Sequence, residues 1–433
     1  MIEQLYEIFQ KHPQIVTDSR QIQPGCLFFA LKGEKFDGNA FAEKAIESGA
    51  AFAVVDNPDL ARNSGCIVVP GVLEALQKLA THHRRQFDIP VIGIAGSNGK
   101  TTTKELVGAV LSSHYPTCVT RGNLNNHIGV PLTLLSMQPE TEVAVIEMGA
   151  NHIGEVAELC EIAEPTHGLV TNIGKEHLEG FGDLEGVKKA ESEIYKYLAA
   201  HSGLAFINRD EKYLSTLAKA NRKKIFYRRS DAPDPKVVGL ETKLVAETPF
   251  LRVAFLGDDK QLTEVQTQLP GRYNFHNIQT AIALGRYFKV PSAKIKAALE
   301  AYTPSNHRSQ IVRRGSTTFV MDCYNANPSS MKAALESLRD LPVGRKIAVL
   351  GDMLELGAAS LAEHRAMFNF AKKCGLEQLV LVGTEFGKVK LGKSVAQWFP
   401  DTATAKTWLN TQALADATVL VKGSRGIRLE GVL

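Results

Sequence analysis

The sequence predicts an α/β protein of three domains: a small N-terminal α/β domain, a central P-loop domain on a parallel sheet, and a C-terminal Rossmann-like α/β domain. Three observations carry that expectation. At 433 residues the chain exceeds what one ordinary hydrophobic core supports. Short apolar runs alternate with helical patterns along most of its length, as a parallel sheet with crossover helices requires. Breaks in that pattern at Asp88-Ile89-Pro90 and at Thr303-Pro304-Ser305-Asn306 divide the chain into 1–86, 87–306 and 307–433.

In the first segment, residues 26–31 and 51–55 read as strands on either side of a helix over 40–48, and a second helix runs from 72 to about 86. Proline at 90 marks the way into an apolar strand at 91–95, after which glycines permit a tight turn and a helical pattern begins at Lys104. Apolar strands at 143–146 and 167–170 continue the central sheet. The more polar stretch 222–268 predicts a β-rich excursion, and 274–287 an Ala-rich helix. In the last segment, strands at 318–322, 346–350, 378–382 and 418–421 each precede a turn and a helix, forming a second open sheet that lacks a G-x-G-x-x-G fingerprint.

Composition narrows the class. A formal charge of +4 is small for this length, and no dense basic run with interleaved aromatics provides a nucleic-acid footprint. Small anions fit better as partners than polymers do. The six cysteines are scattered without a C-x-x-C pair, as expected of reduced thiols rather than a disulfide frame or zinc site. No basic leader followed by an apolar core opens the chain, and no run approaches the length of a membrane span. A cytoplasmic protein without membrane insertion, working as a monomer, is the expectation.

The chemistry centres on Gly96-Ser97-Asn98-Gly99-Lys100-Thr101-Thr102, set between the strand at 91–95 and a helix. Backbone N–H groups and the helix start would cradle phosphate oxygens, Lys100 would meet the outer phosphates, and Thr101 would offer its hydroxyl to Mg2+. Ile94 stands where the general G-x-x-x-x-G-K-[ST] motif has its first glycine, so this is a variant loop. Polar residues then follow the strand ends, where open α/β sheets place their ligands. Glu147 is a candidate Mg2+ ligand beside Thr101, and His177 could bring a neutral nitrogen to metal. Asn123, Asn125 and Asn126 lie in an amide-rich loop that either simply turns or binds substrate. Asn274 and Asn277 either cap a helix or read an adenine edge.

These residues resemble the Mur ligase family, whose loop shares the G-x-x-G-K-T spacing of Gly96 to Thr101. The resemblance extends over all three segments, and assigns them in turn to UDP-substrate binding, ATP binding and ligation. Gly122 to Pro131, Glu147 to Asn151, Tyr324-Asn325-Ala326-Asn327-Pro328 and Leu350 to Gly357 favour the branch that adds D-alanyl-D-alanine to UDP-MurNAc-tripeptide, and no D-N-P-R signature is present. The resemblance implies ATP and Mg2+, an acyl-phosphate intermediate, and UDP-MurNAc-pentapeptide as product. The alternatives are a ligase that adds a single diamino acid, a more distant folylpolyglutamate synthase, and a non-catalytic nucleotide-binding protein of the cell-wall machinery.

By family position, Ser19, Arg20, Asp37, Gly38 and Asn39 would meet the uridine nucleotide, with Asn39 where the pattern often has histidine. Asn151, Tyr324, Asn325 and Ser424 would contact substrate. Arg308 would approach the phosphates and Asp322 the ribose. Thr101 and Glu147 would hold one metal, and His177 another. Many relatives carry a carbamylated lysine near that second metal; here Glu191 falls at the position, in Lys188-Lys189-Ala190-Glu191, and is expected to supply the carboxylate directly. The competing reading sets Glu191 on a solvated helix face.

Overall fold

The computed structural model describes residues 1–234, 240–342, 344–392 and 396–433. Three parallel or mostly parallel sheets follow one another along the chain, as the alternating pattern predicts. The first has four strands in the order Ile15–Val16, Leu27–Phe29, Phe52–Val55 and Cys66–Val68, all parallel. The expected helix over 40–48 is a 3-10 turn at Gly38–Phe41 running into Ala42–Glu47. A further helix, Ile2–Lys11, buries Leu5 and Phe9, an i, i+4 pair that the sequence displays.

Helix Val72–Arg84 joins this unit to the next. Its Thr81 hydroxyl donates to the Ile162 carbonyl at 3.0 Å, and the Arg84 guanidinium donates to the carbonyls of Ala163 and Glu164. Its apolar face shares one core with residues of both sheets.

Among the described residues the central sheet has nine strands. Val91–Ala95 is flanked by Val143–Glu147 and then Thr117–Val119 on one side, and by His167–Val170, Leu204–Asn208 and Lys223–Arg229 on the other, all parallel. The strand order therefore reverses beside Val91–Ala95, the kind of switch point where an open sheet leaves a crevice at its carboxyl edge. Continuous apolar composition is what two covered faces demand: Val91–Ala95 and Val143–Glu147 are buried at every position. The polar stretch after residue 222 extends this sheet with Glu241–Ala246, Arg252–Leu256 and Leu262–Gln266, the last two antiparallel to their neighbours. Residues 235–239 of that stretch lie outside the described residues. Helices Lys100–Ser112 and Phe275–Tyr287 cover one face through a second core.

The third sheet runs Gln310–Arg314, Thr317–Met321, Ala417–Lys422, Arg345–Gly351, Gln378–Val382 and Ala396–Phe399, parallel apart from the first hairpin. The connection from the central domain is tightly turned: Asn306, His307 and Ser309 all have positive φ, near 55°. Among the described residues no helix is long and apolar enough to cross a membrane.

Candidate active site

The phosphate loop leaves the buried strand at Gly96 and enters helix Lys100–Ser112, four residues earlier than the apolar pattern indicates. Gly96 and Gly99 have φ of 120° and 80°, a region open to glycine at little cost. They are also places of close approach. A Cβ on Gly96 would lie 2.2 Å from Thr171 Oγ1, and one on Gly99 2.5 Å from Asn277 Oδ1. The N–H groups of Ser97 and Asn98 donate to the carbonyl and side-chain oxygens of Asn172, which ties the loop to the end of the neighbouring strand.

Lys100 points into a pocket of carboxylates. Its Nζ donates to the Gly96 carbonyl and lies 3.7 Å from Glu176 Oε2 and 3.9 Å from Glu191 Oε1. Burial opposes its charge, but Glu176, Glu191 and Glu147 outweigh burial and hold the ammonium above its ordinary pKa. Glu191 is wholly buried, which excludes the solvated-face reading. Its Oε2 accepts the Gly96 N–H at 2.5 Å, while Oε1 has no hydrogen-bond partner. Burial raises its pKa, with Lys100 opposing and Glu176 adding to the rise, to about 8.

Glu147, at the end of its strand, is 1% exposed. Its Oε1 accepts from Thr101 Oγ1 at 2.9 Å and from Asn125 Nδ2 at 2.8 Å. Oε2 is buried without a hydrogen-bond partner, 3.8 Å from the buried Lys104 ammonium. A hydroxyl beside a carboxylate with an orphaned oxygen suits Mg2+, which takes few protein ligands and completes its shell with phosphate and water. Thr101 and Glu147 therefore fit the first cation. Among the described residues no group of three or more His, Cys, Asp or Glu forms a cage, as a site completed by substrate requires none. Nearby, His177 Nε2 lies 4.0 Å from Glu176 Oε2, and Glu176 Oε1 is another buried orphan.

Lys100, Thr101, Glu147, Glu176 and His177 open into one cleft of about 620 Å³ with walls from the central and C-terminal domains. The loop from Ser97 to Thr102 forms its floor, with Glu147 and His177 beside it. Asn123, Asn125, Asn126 and Asn151 form one wall. On another, Asn274 and Asn277 are linked at 2.9 Å, and Asn277 accepts from Thr103 Oγ1 at 3.0 Å, so both amides brace the helix that follows the loop. The C-terminal domain adds Asp322, Tyr324 and Asn325, and the linker adds Arg308, whose guanidinium stacks 3.7 Å above the Tyr324 ring. Asp322 pairs with Lys422 at 2.7 Å and accepts from the Ser309 N–H at 3.2 Å.

Several expected residues lie elsewhere. Gly96 and Glu191 do not line the cleft; Glu191, expected to supply a carboxylate near the second metal, accepts the Gly96 N–H beneath the loop and faces Lys100. Ser19, Arg20, Asp37, Gly38 and Asn39 are in the first domain, outside this cavity. Arg20 is exposed and forked onto Asp18. Asn39 is corrected as a direct substrate contact. Its Nδ2 donates to Asp37 and Asp56, both at 2.7 Å, and its Oδ1 accepts from the N–H groups of Asp56 and Asn57. An amide with two donors and two lone pairs has nothing left for a ligand. Ser424, expected to contact substrate, does not line the cleft: 2% exposed, it donates to the Ala326 carbonyl and accepts from the Leu354 N–H. Sequence reasoning missed Glu176 and Asn172, whereas Lys422 belongs to the 422–425 segment expected to meet a substrate carboxylate. Only Glu176 had a local signal, as a carboxylate beside His177 after an apolar strand.

Comparison with known proteins agrees with this layout. Residues 94–285 match the Mur ligase middle domain, 307–425 the Mur ligase glutamate ligase domain, and 13–84 the Mur ligase family catalytic domain. The chain is 36% identical over 427 residues to the UDP-N-acetylmuramoyl-tripeptide–D-alanyl-D-alanine ligase of Escherichia coli strain K12, covering 97% of this chain and 92% of that protein. Its structure resembles MurF from Acinetobacter baumannii with a TM-score of 0.87 and 30% identity, covering 100% of this chain and 97% of the other. It also resembles MurF ligase from Thermotoga maritima in complex with ADP, with a TM-score of 0.84 and 26% identity, covering 98% and 96%.

Proposed function

The chain belongs to the Mur ligase family, and from that premise we propose that it joins D-alanyl-D-alanine to UDP-MurNAc-tripeptide using ATP, giving UDP-MurNAc-pentapeptide for peptidoglycan synthesis. The observation that carries this reading is the single cleft in which a phosphate loop faces a polar wall supplied by another domain. ATP and the carboxylate it activates must meet in one water-poor space, because an acyl phosphate left in water hydrolyses.

In the first step a terminal carboxylate oxygen of the tripeptide attacks the γ-phosphorus of ATP, and ADP leaves. The Lys100 ammonium turns from the Gly96 carbonyl toward the γ-phosphate, offsetting charge where it develops. The N–H groups at the start of Lys100–Ser112 take phosphate oxygens. Thr101 and Glu147 would hold Mg2+, which when bound neutralises charge on the phosphates. Glu176 does most to keep Lys100 charged, and Glu191, beneath the loop, adds to this in full only once it has lost its own proton. In the second step the amine of D-alanyl-D-alanine attacks the acyl carbon, and the tetrahedral intermediate breaks its carbon–oxygen bond to phosphate as the nitrogen passes its proton to that departing phosphate. Arg308, stacked on Tyr324 in the wall of the same cleft, would approach the transferred phosphoryl group. The protein works as a monomer in the cytoplasm, with its nucleotide substrates.

The test is mass-spectrometric detection of UDP-MurNAc-pentapeptide, with D-alanyl-D-alanine, meso-diaminopimelate, L-lysine and glutamate offered separately. Product with the dipeptide alone supports the proposal. Product only with a single amino acid, or no ADP with any acceptor, rejects it.

A further inference from the structure

The loop Asp352 to Gly357, prominent in the sequence, has no part in the chemistry above, yet it reaches across from the C-terminal domain to the edge of the cleft. We propose that Glu355 is a positioning residue: docking of the C-terminal domain brings its carboxylate to Nδ1 of His177, which fixes the imidazole with Nε2 directed into the active site.

The contact is direct. Glu355 Oε2 lies 2.6 Å from His177 Nδ1, within hydrogen-bonding distance although off the axis of the ring N–H, and Nε2 is left on the side of Glu176. Both residues are held in the left-handed region, His177 at φ 40° and Glu355 at φ 64°, a conformation that non-glycine residues keep only when their surroundings impose it. Those surroundings are visible on each side. The Glu179 N–H donates to the Glu355 carbonyl at 3.1 Å. Leu178, from the central domain, is buried in the core of the C-terminal domain with Met353 and Leu356. Behind the loop, the Met353 N–H donates to the buried His364, and the Leu354 N–H to Ser424. Lys175 adds an ion pair to Glu363 at 2.5 Å, and its N–H donates to Ser329 at 2.8 Å.

Stability does not explain Glu355. Its side chain is 54% exposed, and an exposed ion pair contributes little to folding. Orientation does. A carboxylate on one ring nitrogen selects the tautomer that carries a proton there and leaves the other nitrogen as a lone-pair donor. Because the two partners come from different domains, the active site acquires that donor only when the domains are docked. Ser424, which lies outside the cleft lining, gains a purpose here as the anchor of the Leu354 N–H.

The test uses the full chain with Glu355→Gln and Glu355→Ala. The tautomer of His177 is read by 15N NMR of labelled histidine at alkaline pH without nucleotide, the signal being assigned by its loss in His177→Asn. Wild type and Glu355→Gln, whose amide oxygen still accepts, should show the Nδ1–H form, and Glu355→Ala a mixture. This arm does not depend on which acceptor the enzyme uses. The kinetic arm rests on the ligase reading: kcat should fall by roughly 10-fold in Glu355→Ala with little change in KM for ATP, and recover largely in Glu355→Gln. An unchanged tautomer in Glu355→Ala, or a Gln variant as impaired as Ala, overturns the proposal. Failure of every acceptor would instead overturn the ligase reading and leave the tautomer result standing.

Discussion

Asn39, in a 3-10 turn of the first domain, and Glu147, at the end of a central strand, are both buried polar side chains at positions that the sequence marks for binding, yet the structure treats them oppositely. Asn39 makes four hydrogen bonds within its own domain. Around the phosphate loop, Glu147 Oε2, Glu176 Oε1 and Glu191 Oε1 are buried without a hydrogen-bond partner. Native proteins leave few buried polar atoms unpaired, so a cluster of them beside a cleft marks where a ligand or cation finishes the network. Full internal pairing marks scaffolding.

Lys100→Ala gives the sharpest test of that contrast. Losing the ammonium aimed at transferred charge should lower kcat by on the order of 10²- to 10³-fold, measured as ADP release, with circular dichroism showing the fold retained. Turnover near the wild-type rate would mean that the carboxylate pocket around Lys100 serves structure alone.

Glu147→Gln comes next, with kcat reduced by roughly 100-fold and a higher Mg2+ requirement, any loss of stability coming from the counter-charge withdrawn from the buried Lys104 ammonium 3.8 Å away. A large drop in stability with an unchanged Mg2+ requirement would place Glu147 with Asn39.

For Asn39→Leu the expected outcome is reversed. Removing the amide leaves the N–H groups of Asp56 and Asn57 and two carboxylates short of partners, at a cost of about 2–3 kcal/mol in urea unfolding. Turnover at saturating substrate should stay within about twofold, since the scaffold and not the chemistry has been touched. An intact melting curve with a much higher KM for the uridine substrate would restore Asn39 to the binding site.

A pH dependence completes the comparison. Glu191 has its native pKa raised toward about 8, so between the ordinary glutamate range and that value the native state binds more protons than the unfolded chain. Its contribution to stability therefore declines as pH rises through that window. Glu191→Gln removes the decline, and the melting midpoint of the variant relative to wild type should climb between about pH 5 and about pH 8. A constant difference across that range would show that Glu191 does not titrate there.

Much of the framework was legible because its signals are local. Unbroken apolar runs such as Val91–Ala95 and Val143–Glu147 announce strands covered on both faces, and the glycines at 96 and 99 announce the turn between strand and helix. The helix start at Lys100 was less legible, since Thr101, Thr102 and Thr103 are poor markers of helix and are placed there by the loop. Asn39 was misread for a different reason. Its partners Asp56 and Asn57 are 17 and 18 residues away, and no local pattern announces that an amide will be saturated at such a distance.

The sequence by itself determined three α/β units, the phosphate loop, and the polar residues after strand ends that line the cleft. Only the tertiary structure decided which polar groups are satisfied and which are left waiting: Asn39 and Ser424 closed off, Glu176 and Lys422 brought into the site, Glu191 set beneath the loop, and Glu355 delivered to His177 from another domain. The reason is physical. Apolar periodicity is a property of neighbours along the chain, whereas hydrogen-bond satisfaction is directional and short-ranged, and depends on which distant segments folding brings within about 3 Å.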